Sequence, residues 1–187
     1  MIYSIRRLAN TEVAAGAQAG RRVFVALVSA VSQPSEPQPV FLDFKGIEAA
    51  TGSFLRECVF AFRDHCRHAM ENAYPVVANA TAVVVEELAF YAKSQADAVW
   101  HCELSEHGRV GSPNLIGRDN LEAGQQQALK WVDELPEATA PAMTQQSGQA
   151  VGATAWNNRL SALAAKGLIM EQRRGKTKIF RPVLGAS

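Results

Sequence analysis

Residues 154–182, TAWNNRLSALAAKGLIMEQRRGKTKIFRP, decide how the C-terminal end of this chain folds. Thr154 offers the hydroxyl of a helix N-cap. Trp156, Leu160, Leu163 and Ala164 then recur at spacings of three and four, which gathers them on one helix face. Gly167 follows where such a helix ends in the left-handed region. Leu168 to Gln172 and Thr177 to Arg181 read as two short strands, with Arg173, Arg174, Gly175 and Lys176 as the turn between them. The pattern predicts a helix followed at once by a hairpin with a basic tip.

Charge concentrates at the same end. From Val151 to Ser187 there are seven cations, Arg159, Lys166, Arg173, Arg174, Lys176, Lys178 and Arg181, against Glu171 alone, a net +6. The whole chain is +1, so residues 1–150 carry −5. A folded basic block favours a polyanion, because neutralised phosphates release condensed counterions. Upstream, Asp119 or Asn120 caps a helix that sets Leu121, Ala128, Trp131, Val132 and Leu135 on one face and stops at Pro136. Pro141 suits the first turn of a short helix, ending near Gly148, with only Met143 to bury.

Three helices and a basic hairpin over residues 119–187 resemble a winged helix-turn-helix domain, which implies duplex DNA as the ligand. With Trp156, Leu160, Leu163 and Ala164 inward, the last helix turns Ala155, Asn158, Ser161, Ala162 and Ala165 outward, with Asn157 and Arg159 at the flanks. Small residues there allow close approach to a groove, and Asn and Arg side chains can pair with adenine and guanine edges. The expected DNA-contacting residues are Thr154, Asn157, Asn158, Arg159 and Ser161 on the helix. Arg173, Arg174, Lys176 and Lys178 would hold phosphates, which positions the protein without reading sequence. This expectation requires the outward helix face to stand clear of the acidic front of the chain.

The front reads as alternating strands and helices. Ile2 to Leu8 predicts a first strand, and Thr11 a cap for a helix reaching about Val31 with Phe24, Leu27, Val28 and Val31 inward. Gly16 and Gly20 are poor helix-interior residues and mark a late start or a close packing contact. SQPSEPQP, residues 32–39, is a loop by composition. Val40 to Phe44, nearly all apolar, predicts a strand buried on both faces. Ser53 then caps a helix with Phe54, Leu55, Cys58, Val59, Phe62, Cys66 and Ala69 inward, while Phe60 falls among Arg56, Arg63, Asp64 and Arg67. That placement makes Phe60 either covered by a neighbour or part of a contact surface. Pro75 to Ala80 predicts a further strand, Thr81 caps a helix to about Asp97, and Ala98 to Leu104 pairs with Arg109 to Ile116 across Glu106-His107-Gly108. The sum is a mixed α/β sheet followed by a small α+β unit.

VFLDFKGIEAATGSFLRE, residues 40–57, resembles the heart of a STAS-like domain, in the branch of unassigned function, through Asp43, Phe44, Gly46, Ser53, Phe54 and Glu57. The preceding GAQAGRRVFVAL is similar to that family's first helix, so the resemblance covers about residues 1–118. It implies binding to a protein partner, such as a histidine-kinase-type ATPase, and in some members a switch by phosphorylation at the start of this helix. Ala50-Thr51-Gly52-Ser53 stands where the family carries Asp-Ser-Ser-Gly. Thr51 is the positional counterpart and Ser53 the cap; with Phe60, they are the candidate partner and switch residues.

The remaining chemistry is sparse. Cys58, His65, Cys66, His68, His101 and Cys102 lack the spacings of a metal site, and neither a phosphate-binding glycine loop nor a paired acid–base cluster is present. No catalytic residue, metal or cofactor is expected. Three unevenly placed cysteines and the lack of a signal or spanning segment point to a reducing cytoplasm rather than a membrane. The leading expectation is a DNA-binding transcriptional regulator whose front domain binds a partner or senses a signal, with a homodimer left open. The alternative is an adaptor, akin to an anti-anti-sigma factor, that docks on an ATPase without binding DNA.

Overall fold

The computed structural model describes residues 1–135 and 137–185. The helix stop expected at Pro136 therefore lies outside the described residues. The chain opens with strand β1 (Ile2–Ser4), which runs straight into helix α1 (Ile5–Ala9) because the Ser4 hydroxyl accepts from Arg7 N. The strand expected over residues 2–8 thus ends halfway. A two-residue strand β2 (Val13–Ala14) precedes helix α2 (Ala17–Ala30). Thr11 does not cap this helix; its hydroxyl accepts from Val13 N, and the helix starts at Gly16, φ +84°. Gly20 is the expected close contact, since a Cβ there would come 2.5 Å from the Phe54 carbonyl oxygen.

Strand β3 (Gln38–Asp43) and the short β4 (Ala49–Ala50) lead to one long bent helix. It comprises α3 (Gly52–Leu55), a π-turn over Arg56–Phe60, and α4 (Ala61–Ala69). Strand β5 (Ala73–Ala78) is buried along its whole length, helix α5 (Ala82–Ser94) is capped by Thr81 as expected, and β6 (Val99–Leu104) and β7 (Val110–Ile116) close the sheet. The order is β1-β3-β5-β6-β7, parallel except for the β6–β7 pair.

That order has a direct packing consequence. The parallel strands advance across the sheet in one direction, and right-handed crossovers then place every connecting helix on the same face. Ile5, Leu27, Phe54, Phe62 and Leu88 from the helices accordingly form one core with Val40, Leu42, Val77 and Val99. The alternate residues of the same strands, Phe41, Tyr74, Val76, Trp100 and Cys102, point to the opposite face, which no crossover can cover.

The C-terminal part covers it. A single turn, Arg118–Asn120, leads to helix α6 (Ala123–Glu134), followed by α7 (Ala140–Gln146), α8 (Ala153–Ala165) and the hairpin of β8 (Ile169–Arg174) and β9 (Thr177–Pro182). Ala138, between α6 and α7, pairs antiparallel with Phe180 and adds a third, one-residue strand to the hairpin. Asp119 and Asn120 sit in the preceding turn and do not cap α6; Glu122 holds that position, its backbone N–H donating to the Gln125 side chain. Trp156, Leu160 and Leu163 centre a core of this part that also takes in Ala98 and Leu115 from the sheet. Met170, Val183 and Leu184 lie on Phe41, Tyr74 and Val76. The whole is a mixed α/β protein with its sheet clamped between helices on one side and the C-terminal part on the other.

Candidate nucleic-acid interface

Helix α8 carries the outward face singled out in the sequence. Its buried stripe is Trp156, Leu160, Leu163 and Ala164, as the periodicity predicts. Its start lies earlier than expected: Gly152 is the cap, and Thr154 stands exposed in the first turn. Its end is as expected, with Gly167 at φ +71° letting Gly167 N donate to Ala164 O and Leu168 N to Leu163 O. Thr154, Ala155, Asn158 and Ala165 are exposed, and Asn157, Arg159 and Ser161 are half-buried.

Strand β8 runs two residues further toward the tip than the sequence suggests, while β9 starts at Thr177 as expected. Arg173 pairs with Lys178 and Arg174 with Thr177 in register, so the turn is Gly175-Lys176 alone. Arg173, Arg174 and Lys176 project into solvent at this tip. Two tip arginines have acidic neighbours, Arg174 with Glu137 at 2.9 Å and Arg173 with Glu171 at 3.8 Å, both largely exposed pairs that solvent screens. Lys178 is drawn further in by Glu171 at 2.9 Å.

The C-terminal half of α8 does not stand clear of the front of the chain. Ser161 and Ala165 line a groove of about 720 Å³ whose far wall includes Glu36, Arg67 and Glu71, and whose floor carries Glu171, Arg173 and Lys178. Three carboxylates and three cations make this groove electrostatically balanced. It would repel a phosphate backbone about as much as attract it. Ser161 and the tip residue Arg173 both line this groove, whereas Thr154, Ala155 and Asn158 lie outside it.

Arg159 turns toward α6. Its guanidinium lies 4.5 Å from the Trp156 ring centroid, on the side of α8 that faces α6. A Cβ at Gly124 would come 2.6 Å from its Nε, so it occupies space that only a glycine leaves open. Of the helix residues expected to contact DNA, Thr154 and Asn158 share an exposed face; Asn157 and Arg159 flank it on opposite sides.

The proposed partner and switch residues of the front are rearranged more thoroughly. Thr51, not Ser53, caps the long helix: its hydroxyl accepts from Phe54 N at 3.4 Å and from Gly16 N at 3.0 Å. Ser53 sits half-buried inside the first turn, its Oγ 3.2 Å from that of Thr51. Phe60 is buried to 3% exposure against Tyr91, with ring centroids 4.5 Å apart, and is no contact surface. The π-turn over Arg56–Phe60 accommodates one extra residue, which rotates everything after it by about 100° relative to an ideal helix.

The same rotation buries Arg63. Its guanidinium donates to Asp97 Oδ2 at 2.7 Å and to the Ala98 carbonyl at 3.1 Å. Burial opposes the Arg63 charge, and the Asp97 carboxylate outweighs it, so the guanidinium stays above its ordinary pKa. Lys166, the C-cap of α8, donates to the Ala96 carbonyl at 2.8 Å and reaches Asp97 at 3.5 Å. Trp100 Nε1 donates to Leu168 O, and the Tyr74 hydroxyl accepts from Glu171 N. These contacts, invisible in the sequence, fasten the end of α8 and the start of the hairpin to the front of the chain.

The cysteines behave as buried packing groups. Burial pushes the Cys66 thiol up to about 12 and the Cys102 thiol up to about 11, away from any nucleophilic range. Burial also holds His101 below the ordinary histidine range. Among the described residues no three His, Cys, Asp or Glu side chains gather as a metal site, and no helix is long and apolar enough to cross a membrane. No protein-family model, curated protein or solved structure matches this chain.

Proposed function

We propose that this protein is a DNA-binding regulator, in which the C-terminal part acts as a winged helix and the STAS-like front binds a partner or senses a signal. The observation that carries the reading is the combination, in one small unit, of exposed first turns of α8, with Thr154, Ala155 and Asn158, and a hairpin whose tip holds Arg173, Arg174 and Lys176 in solvent. The order helix, bridging residue, helix, helix, hairpin supports the winged-helix reading, because Ala138 completes a small sheet with β8 and β9. The helix offers a small, uncharged face that can enter a groove, and the hairpin offers the cations that hold its edge.

Contacts between the two parts give the regulator a route for coupling. Partner binding at the front would act on α8 through Asp97 and Lys166, which join the long bent helix to the C-cap of α8. Titration of duplex DNA at several salt concentrations tests the reading. Binding is expected to weaken as salt rises, and the variant Arg173→Ala/Arg174→Ala/Lys176→Ala is expected to flatten the slope of log K against log salt by about 3, one unit per lost phosphate contact. Binding that ignores salt, or that the triple variant leaves unchanged, counts against it. The adaptor reading retains one observation in its favour, the balanced groove between α8 and Glu36 and Glu71, which suits a protein segment better than a polyanion. Co-purification with an ATPase-type partner in the absence of DNA binding would select it.

A further inference from the structure

On the side of α8 away from the balanced groove lies a second hollow, of about 590 Å³, at the first turn of α6. Three cationic side chains line it, Arg118, Lys130 and Arg159, together with the amides of Gln126 and Gln127, and its lining contains no carboxylate. Two of the cations have an acidic neighbour outside the hollow: Lys130 lies 3.7 Å from Glu134, and Arg118 acts on Asp133. The guanidinium of Arg159 differs from both. It is stacked on Trp156, seated over Gly124, and its Nη1 is buried without a hydrogen-bond partner among the described residues.

A guanidinium positioned by an aromatic ring, in the wall of a hollow lined by two further cations and no carboxylate, suits an oxyanion, which Arg binds through paired N–H donors. Arg159 also follows Ala155 by one turn, so the hollow adjoins the exposed first turns of α8. The hollow adds cations on the Arg159 flank of that face, and the hairpin adds others at its tip. A major groove is bordered by two phosphate strands, so two separate groups of cations can each serve one.

We propose that this hollow is a phosphate site that takes a backbone phosphodiester of the strand opposite the one held by the hairpin, a proposal that rests on the DNA-binding reading. Arg159 is then a phosphate-binding residue and no base reader, with Arg118 and Lys130 adding charge around it. A side chain at Gly124 would press on the Arg159 Nε and Cζ and move the guanidinium from its place over Trp156.

Two variants test it in the full chain. Arg118→Ala/Lys130→Ala removes exposed charge and is expected to flatten the slope of log K against log salt by about 2. Gly124→Ala changes no charge and favours the helix, yet is expected to weaken DNA binding by about tenfold by displacing Arg159. Both results together uphold the site. If both variants bind as the unmodified chain does while the hairpin triple variant fails, the hollow is overturned and the DNA reading stands. A free phosphate is the other source of the same chemistry, read by titrating inorganic phosphate against the Arg159 Nε–H resonance. A shift in the unmodified chain that Gly124→Ala abolishes, in a protein that ignores duplex DNA, would overturn the backbone assignment together with the DNA reading.

Discussion

Phe60 shows how much a single residue's environment can depend on one irregular turn. On an ideal helix it falls among Arg56, Arg63 and Arg67, facing solvent; with the π-turn it packs on Tyr91 and lies under the Arg63 guanidinium, 5.2 Å from its ring centroid. Phe60→Ala should therefore cost about 3–5 kcal/mol, the range for emptying an aromatic core site, whereas an exposed contact residue would lose under about 0.5 kcal/mol. Chemical denaturation of the two proteins separates these outcomes. Thr51 and Ser53 make a similar point. Both can cap from position alone, and only the second hydrogen bond, donated by Gly16 from a segment 35 residues away, selects Thr51.

At the scale of elements, the junction between α4, α5 and α8 turns on Asp97, 8% exposed, which serves a buried and a half-exposed cation at once. Asp97→Asn leaves Arg63 in the interior with only the exposed Asp64 beside it and should destabilise by about 3–5 kcal/mol. Lys166→Ala removes the half-exposed arm alone and should cost about 1 kcal/mol or less. Urea titration of both variants checks the ranking, and equal losses would show that the two arms are not separately buried and exposed. The hairpin was readable in advance because alternation and turn chemistry are local. Its footing was not, because Trp100 and Tyr74 reach it across the fold.

For the whole molecule, the one-directional strand order makes the C-terminal part a structural cover for the sheet. It covers a sheet face built of Phe41, Tyr74, Val76, Trp100 and Cys102, and a fully buried large apolar side chain contributes about 1.5–3 kcal/mol. A fragment ending at Arg118 should consequently expose that face. It is expected to bind a hydrophobic dye and self-associate, as read by dye fluorescence and size-exclusion chromatography, where the full chain does neither. A monomeric fragment with native-like stability would show that the sheet needs no such cover. The 1–118 and 119–187 segments, divided by sequence pattern, are joined by apolar contacts that neither composition nor charge reveals.

Local chemistry determined most of what the sequence alone could tell: strands near 40–44, 75–80, 98–104 and 109–116, the Thr81 cap, the buried stripe of α8, the Gly167 stop and the basic tip of the hairpin. Each depends on residues within a turn or two of one another, so spacing is enough. Tertiary structure decided the rest. It set the π-turn that inverted Phe60 and Arg63, the choice of Thr51 as cap, the turn of Arg159 into a hollow over Gly124, and the seating of the C-terminal part on the open sheet face. Those outcomes come from partners distant in the chain competing for the same groups, and no local period records which partner wins.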